Sequence, residues 1–263
     1  MSTERKTYIV ANWKMNFTPG EASIYLHKLA QNIKASRDVQ VILAPSAVSL
    51  QTLSLQINRR QFKLAAQNLY WRDFGAFTGE VSAAQLRGIV DYAIIGHSER
   101  RHIFHETNKD IKHKVAAALR NRITPILCVG ETANEREDKE TDMVIYDQLV
   151  GGLSEVAKED LHEVMVAYEP VWAISSTKNA KLATPETIED AAQRIRKHIA
   201  SLYGKKIAED LPVLYGGSVS GSSAETYLQV AGVDGLLVGG ASLIADEFVG
   251  IVNLAKEARN ERN

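Results

Sequence analysis

Eight short apolar runs recur along this chain, and amphipathic stretches lie between them from one end to the other. Regular alternation of strand and helix predicts parallel strands joined by right-handed crossovers. Several of the runs show little polar alternation, which is typical of strands buried on both faces. The predicted strands are residues 7–11, 39–44, 62–67, 92–96, 124–130, 164–169, 212–216 and 235–239. The predicted helices are residues 22–35, 47–57, 108–121, 142–157, 185–203, 222–230 and 241–258.

An open doubly wound sheet would show the same alternation. However, the Gly-x-Gly-x-x-Gly fingerprint of dinucleotide-binding sheets is missing after the first strand, where residues 10–14 read Val-Ala-Asn-Trp-Lys. Eight units in about 250 residues match the size and strand count of a closed barrel. We therefore predict an α/β fold, a single (β/α)8 TIM barrel of eight parallel strands with an outer ring of helices. Residues 1–263 would form one domain, with residues 1–6 as a flexible N-terminal extension.

Composition narrows the classes of partner. The chain has 263 residues, is 45% hydrophobic and carries a formal net charge of -1, so no global field favours nucleic acid or an anionic membrane. The single cysteine, Cys128, lies in an apolar run and is predicted to be a buried, inert thiol. No apolar stretch approaches the ~20 residues of a membrane span, and the N-terminal residues lack an apolar signal core. We therefore predict a cytoplasmic protein.

One predicted strand ends abruptly in a carboxylate followed by a proline, Glu169-Pro170. Proline fixes its own φ and biases Glu169 away from the helical region, so the chain leaves the strand at a stiff corner. Trp172 and Ile174 lie just beyond this corner, and large apolar residues there favour a lid that folds over a ligand and excludes water. The alternative is a solvated glutamate at a strand end, with the tryptophan packed beneath it.

Polar side chains also follow other strands, and the C-terminal strand ends of a barrel meet on one face. The first strand leads to Asn12 and Lys14, and the fourth leads to His97 and Glu99. His97 precedes a predicted helical turn whose dipole disfavours a protonated ring, so we expect a neutral imidazole that donates a hydrogen bond. Each residue has an ordinary alternative: a turn asparagine, a surface lysine whose ammonium reaches water, and a structural histidine.

Glycine pairs follow the seventh and eighth predicted strands, as Gly216-Gly217-Ser218 and Gly239-Gly240. Glycine lets the backbone approach a ligand, and predicted helix starts at residues 220–222 and 241–242 would leave N–H groups free for phosphate. Two ordinary strand-to-helix turns are the alternative, but adjacent barrel positions favour a phosphate site. No His-Glu-x-x-His or Cys-x-x-Cys spacing occurs, so we predict no metal site.

Taken together, these candidates are a carboxylate base, a neutral imidazole, a lysine, a phosphate site and a lid. This set suits the transfer of a proton between adjacent carbons of a phosphorylated carbonyl compound. Proton abstraction next to a carbonyl produces an enediol(ate), so the base must be desolvated and the substrate oxygens need donors that match their growing charge.

Stretches that span nearly the whole chain resemble the triosephosphate isomerase family, in the family's order. They are residues 10–16, 65–68, 75–80, 95–101, 128–131, 167–174, 215–219 and 237–242. The resemblance implies an isomerase of glycolysis and gluconeogenesis. Its reaction would be the interconversion of dihydroxyacetone phosphate and D-glyceraldehyde 3-phosphate without a cofactor, through an enediol(ate).

The resemblance also implies a role for each catalytic candidate. Glu169 would shuttle the proton between the two carbons, and His97 would polarise the substrate oxygens. Lys14 would offset negative charge, and Glu99 would organise Lys14. Asn12 would assist at the substrate oxygen.

The remaining implied site residues bind phosphate or form the lid, residues 170–182. Asn12 and Lys14 would also contact substrate, and phosphate would be held by the backbone N–H groups of Ser175, Ser218, Gly239 and Gly240. Lid and clamp residues would be Pro170, Val171, Trp172, Ile174 and Leu237, with Glu131 supporting the lid.

Residues 68–80 resemble the loop that family dimers insert into a neighbouring subunit, with Thr78 reaching Asn12 of the partner subunit. The alternative is an ordinary loop whose aromatic residues, Trp71, Phe74 and Phe77, fold inward. Three aromatic side chains on so short a loop would make a sizeable exposed patch in a monomer. We therefore predict a homodimer with an isologous interface.

The chain departs from the family after Ile174, where residues 175–182 form a longer segment without the usual glycines. We hypothesise that this longer hinge raises the entropy of the open lid and modestly lowers substrate affinity or turnover. Two other functions remain as alternatives: a different enzyme on the same phosphate-binding barrel, and a non-catalytic barrel that binds triose phosphate or acts as a surface-binding protein.

Overall fold

A computed structural model describes residues 6–174 and 181–260. Residues 1–5 of the predicted flexible extension, and residues 175–180 of the departing lid segment, lie outside the described residues. The strands are β1 Thr7–Asn12, β2 Val39–Ala44, β3 Phe62–Ala66, β4 Tyr92–Ile95, β5 Thr124–Val129, β6 Met165–Tyr168, β7 Val213–Tyr215 and β8 Gly235–Val238. They pair in parallel in chain order, and β1 also pairs with β8. The predicted closed barrel of eight parallel strands is confirmed.

Helices surround this barrel, and every predicted helix is present. They are α1 Pro19–Asn32, α2 Ala47–Gln56, α3 Ala83–Leu86, α4 Ser98–His102, α5 Asn108–Arg120, α6 Ala133–Glu137, α7 Thr141–Leu153, α8 Pro185–Tyr203, α9 Lys205–Asp210, α10 Ala224–Leu228 and α11 Ala245–Asn260. Within the described ranges, three segments are 3-10 helices: Lys158–Glu163, Val171–Ala173 and Gly240–Leu243. Helices α3, α6 and α9 were not predicted, because one or two turns do not establish a helical period.

Three helix starts differ by two or more residues from their predicted positions. Helix α1 begins at Pro19, three residues before the predicted start, because Thr18 forms a capping box with Glu21 and proline suits the first helical position. The helix predicted from residue 241 begins only at Ala245, after the 3-10 segment. The turn after β8 is therefore tighter than an α-helical start, and α10 likewise begins two residues later than predicted.

Side-chain alternation along the strands divides the barrel interior from the outer core. In β1, Val10 belongs to the interior apolar cluster and Tyr8 packs against that cluster, whereas Ile9 belongs to the outer cluster beneath the helices. Because strand side chains repeat every two residues, Asn12 continues the interior set to the C-terminal mouth. One alternation thus positions a tyrosine at the lower end of the barrel and a polar amide at the upper end.

The loop between β3 and α3 is only partly exposed. Trp71 stacks on Tyr70 with 4.1 Å between ring centroids and packs against the core, whereas Phe74 is 85% exposed. Phe77 lies 4.7 Å from Tyr70 and is 39% exposed. The expectation of three exposed aromatic residues was therefore wrong for Trp71, which finds an aromatic neighbour within the same loop.

Asp73 ties this loop to α5. Its carboxylate contacts Arg120 Nε and Nη2, each at 3.1 Å, and accepts from Asn121 Nδ2 at 3.0 Å. The hydrogen bonds from Arg120 hold the pKa of Asp73 below its ordinary value of 3.8. A depressed folded-state pKa means that this stabilisation is present above the unfolded pKa and is lost as pH falls through the folded one.

We expect Asp73→Asn to lower the free energy of unfolding by about 0.5 kcal/mol at pH 7, as for an exposed ion pair. The difference from wild type should shrink as pH falls below about 4, since the wild-type carboxylate then becomes protonated. Denaturant unfolding at several pH values measures this, with the exposed Asp210→Asn as control. A difference that stays constant down to pH 2.5 would contradict the assignment.

Candidate active site

A small pocket of about 90 Å³ lies at the C-terminal mouth of the barrel. Residues from the ends of β1, β4, β6, β7 and β8 line it, as the convergence of parallel strand ends predicts. The lining includes Asn12, Lys14, His97, Glu169, Ile174, Gly216, Gly217, Ser218, Leu237, Gly239 and Gly240. The candidate base, imidazole, lysine and glycines predicted from separate parts of the sequence thus share one cavity.

Glu169 is the first residue after β6 and is only 2% exposed, which excludes the solvated alternative. Its Oε2 accepts a hydrogen bond from the Ser98 N–H at 3.0 Å. Its Oε1 lies 3.1 Å from His97 Nε2, but the geometry is not that of a hydrogen bond, and this oxygen has no donor among the described residues. One carboxylate oxygen is therefore fixed, and the other is buried and available to take a proton.

His97 caps the N-terminus of α4. Its Nδ1 accepts a hydrogen bond from the Glu99 N–H at 3.2 Å, so Nδ1 carries no proton. The ring is then neutral and its remaining proton is on Nε2, which is the nitrogen near Glu169. This is the donating tautomer expected from the position of the histidine at a helix start.

Lys14 adopts a left-handed backbone conformation with φ 51°. Lysine has no intrinsic preference for this region, so the neighbouring contacts must hold it. The Lys14 N–H donates to Asn12 Oδ1 at 3.1 Å, and Gln67 Nε2 donates to the Lys14 carbonyl at 2.8 Å. The turn directs the side chain into the pocket, where Nζ lies 2.6 Å from Glu99 Oε1.

One of the two glycine-rich turns after β7 and β8 has fewer free N–H groups than predicted. The Ser218 N–H donates to the Ala173 carbonyl at 2.8 Å, and Ser218 Oγ donates to the same oxygen at 2.7 Å. In this arrangement the Ser218 N–H is occupied by the 3-10 segment and is not available to phosphate. Gly239 and Gly240 line the pocket, whereas Ser175 lies outside the described residues.

Glu131 is fully buried beneath the 3-10 segment that follows Glu169. Its carboxylate accepts hydrogen bonds from Trp172 Nε1 at 2.8 Å and from the Tyr168 hydroxyl at 3.1 Å, and its carbonyl accepts from the Val171 N–H at 3.0 Å. Arg136 lies 4.4 Å above the Trp172 ring and 3.4 Å from the Glu131 carboxylate. The start of the predicted lid is therefore fixed by a buried carboxylate.

Sequence reasoning missed several residues that shape this site. Gln67 orients Lys14, Ser98 orients Glu169, and Arg101 donates to the carbonyls of Gly96 and Cys128 at 2.8 and 3.0 Å. Gln67 had a signal, because it follows β3 as a polar strand-end residue. No sequence pattern marks Arg101, because its position beside the site depends on tertiary packing.

Cys128 lies beside the catalytic candidates, within the barrel interior. Burial, and then the charge of Glu169, raise the pKa of its thiol well above the ordinary value. The thiol therefore stays protonated, as expected of an inert buried cysteine. In the described part of the chain no group of three or more His, Cys, Asp or Glu side chains could hold a metal ion.

Gly216 has no side chain, and the Glu169 side chain packs against it. A Cβ at this position would lie 2.9 Å from Glu169 Cγ and 3.5 Å from Oε1. We expect Gly216→Ala to displace the carboxylate and lower kcat by about tenfold, because catalytic geometry tolerates little misplacement. A steady-state assay measures this, with Gly20→Ala as control because a Cβ there meets nothing within 4 Å. Equal kcat values for the two variants would contradict the prediction.

The fold and the pocket define a (β/α)8-barrel enzyme with an acid–base pair and glycine-rich turns at the C-terminal mouth. The family model described as triosephosphate isomerase matches residues 7–255. A triosephosphate isomerase of Caldanaerobacter subterraneus subsp. tengcongensis is 42% identical over 250 residues, which cover 95% of this chain and 99% of that protein. One of Streptococcus mutans is 40% identical over 253 residues, which cover 96% and 99%. The chain belongs to the triosephosphate isomerase family.

Proposed function

We propose that this protein interconverts dihydroxyacetone phosphate and D-glyceraldehyde 3-phosphate without a cofactor. The observation that carries the proposal is the pair formed by Glu169 and His97. A buried carboxylate oxygen without a donor lies 3.1 Å from the imidazole nitrogen that bears the proton. A base and a hydrogen-bond donor this close can serve adjacent atoms of one three-carbon substrate.

In the proposed reaction, Glu169 takes a proton from the hydroxymethyl carbon of dihydroxyacetone phosphate. The electron pair of that C–H bond forms the enediolate, and negative charge develops on the former carbonyl oxygen. The Nε2–H of His97 donates to this oxygen, and the Lys14 ammonium offsets the charge. Return of the proton from Glu169 to the adjacent carbon, with transfer of the hydroxyl proton between the oxygens, gives the aldehyde.

The other site residues support this sequence. We assign Asn12 to the substrate oxygen and Glu99 to the orientation of Lys14, with which it forms the ion pair described above. Gly239 and Gly240 would hold the phosphate by their N–H groups, together with Ser218 after its bond to Ala173 is released. Movement of the lid would thus make the Ser218 N–H available to donate a hydrogen bond to phosphate.

A coupled assay in deuterated water tests the function. With dihydroxyacetone phosphate as substrate, we expect the same rate of conversion with and without a chelator. We also expect deuterium on the carbon that receives the proton. Exchange with solvent reports the protonated Glu169 intermediate. The absence of conversion would overturn the proposal, and conversion without any deuterium would overturn the assignment of a solvent-exchanging base.

We also propose a homodimer, in which the loop after β3 docks beside the partner's active site. Phe74 and Phe77 expose aromatic surface on this loop, and Met15 is 95% exposed next to Lys14. A separate groove of about 360 Å³, lined by residues that include Met15 and Phe104, opens beside the catalytic pocket. An exposed apolar protrusion and an apolar groove on one chain suit an isologous interface.

The double variant Phe74→Asp with Phe77→Asp is expected to be a monomer in solution, with half the mass of the wild-type dimer. Two charges placed on the apolar contact would have to lose water for the dimer to form. Sedimentation velocity measures the mass, and Ile24→Asp, at a 73% exposed position on α1, is the control. A wild-type protein that sediments as a monomer would refute the homodimer.

Among the described residues, the structure contains no helix with the length and apolar character of a membrane span. The cytoplasmic location stays a prediction.

A further inference from the structure

A second cavity, of about 480 Å³, opens at the N-terminal end of the barrel. It lies at the opposite end of the strands from Glu169, where the turns that precede β3, β4 and β5 meet. Four basic side chains line it, from Arg59, Lys63, Arg87 and Arg122, together with a single carboxylate, from Asp91. The lining therefore carries an excess of positive charge on a chain whose net charge is close to neutral.

The carboxylate is already neutralised within the wall of the cavity. Asp91 Oδ2 lies 3.2 Å from Arg59 Nη1, and Oδ1 lies 3.3 Å from Lys63 Nζ. Arg59 Nη2 also donates to the carbonyls of Gly88 and Ile89, at 3.2 and 3.3 Å. Arg59 therefore braces the turn before β4, and this wall does not depend on a ligand for its shape.

Arg87 and Arg122 are different. Within residues 6–174 and 181–260, neither guanidinium group has a hydrogen bond or an ion pair. Both side chains line the cavity from separate turns. Guanidinium groups match phosphate oxygens with paired hydrogen bonds, so two of them on one cavity form a receptor for a multiply charged anion.

Two residues that carry hydroxyl groups also line the cavity. Tyr92 and Thr124 are paired residues at the beginnings of β4 and β5, and both face this cavity. Burial raises the pKa of Tyr92, as do its neighbours Tyr8 and Asp91, so its hydroxyl remains a neutral donor. Neutral donors beside cations favour phosphate oxygens over a simple counterion.

We propose that this cavity binds a compact anion with two or more phosphate groups, held between Arg87 and Arg122. Its volume falls in the range of about 300–1,000 Å³ found for small-molecule sites, which is more space than one phosphate ion fills. The site is separate from the catalytic pocket and goes beyond the isomerase function. The shared chemistry is a diphosphate, free or as part of a nucleotide.

Calorimetric titration of the full chain with pyrophosphate tests this proposal, in the presence of saturating, pre-equilibrated triose phosphate to fill the catalytic pocket. We expect one pyrophosphate per chain and no increase in KM for triose phosphate. Arg87→Gln with Arg122→Gln should weaken binding at least tenfold, because both charge-assisted contacts are lost. Arg60→Gln is the matched control: Arg60 is exposed on the same turn as Arg59 but does not line the cavity. ADP that binds more tightly than pyrophosphate would identify a nucleotide, and equal affinities would identify the phosphate chain alone.

An independent variant keeps the test sharp. Asp91→Asn removes the one carboxylate of the described lining and should tighten pyrophosphate binding severalfold, opposite to the arginine variants. Isomerase activity and Tm without pyrophosphate should stay near wild type for Arg87→Gln and Arg122→Gln, since neither side chain has a described partner. Equal affinity in the wild type and the double arginine variant would overturn the proposal, as would pyrophosphate that competes with triose phosphate.

Discussion

Glu169→Gln is expected to lower kcat by about a thousandfold, within the range of 10²–10⁴ found for general acid–base catalysis, while KM changes only a few fold. Glutamine keeps the size of the side chain, so Ser98 can still donate to the carboxamide oxygen in place of Oε2. What disappears is the basic oxygen 3.1 Å from His97. An amide has no proton affinity suited to removing a proton from carbon, so the first chemical step slows.

Steady-state kinetics in both directions measure this effect, and deuterium exchange should fall in parallel with kcat. Glu225→Gln, at an exposed position of α10, serves as the matched control and should retain wild-type rates. If Glu169→Gln turned over substrate at the wild-type rate, Glu169 could not be the base. If its KM rose while its kcat stayed at the wild-type value, the residue would serve binding instead.

Lys14→Met should lower kcat/KM by at least about 10³, the upper end of the 10²–10³ loss seen when one stabilising donor is removed from an active site. In the proposed mechanism, the ammonium offsets negative charge on both the phosphate and the enediolate. Without it, the Glu99 carboxylate would lose the ion pair at 2.6 Å and would add negative charge beside the pocket. The loss should therefore exceed that of a missing donor alone.

This reasoning predicts a partial recovery in the double variant Lys14→Met with Glu99→Gln, because the added negative charge is then gone. Lys28→Met is a suitable control: Lys28 pairs with Asp246 at 3.2 Å, and its side chain is 51% exposed. Initial rates at low substrate concentration give kcat/KM directly. Wild-type kcat/KM in Lys14→Met would remove the lysine from the mechanism.

Much of the fold was predictable because strand burial and helix amphipathicity are local patterns. Glu169 and His97 could be singled out in the same way, since a polar residue at the end of a buried strand stands out from its neighbours. The bond from Ser218 to Ala173 could not be predicted, because it depends on how one turn folds back on another. The left-handed conformation of Lys14 could not be predicted either, since it is held by a distant glutamine.

The basic cavity at the lower end of the barrel illustrates the same limit. Arg59, Arg87 and Arg122 are separated by about thirty residues each in the chain, and each is an ordinary turn residue in its own stretch. The parallel pairing of β3 with β4 and of β4 with β5 brings the turns before these strands together. The charge excess there is a property of topology, which a scan for local charge runs does not detect.

In the proposed function, the two hydrogen bonds from Ser218 to the Ala173 carbonyl compete with phosphate for the Ser218 N–H group. Any phosphate that recruits the Ser218 amide must first displace this internal acceptor, at a cost of about 1 kcal/mol for each bond that is exchanged. When the product leaves, the Ser218 N–H can again donate to the Ala173 carbonyl. If Ser218 binds phosphate as proposed, this competition weakens substrate binding and speeds product release, which benefits a catalyst of a reversible reaction.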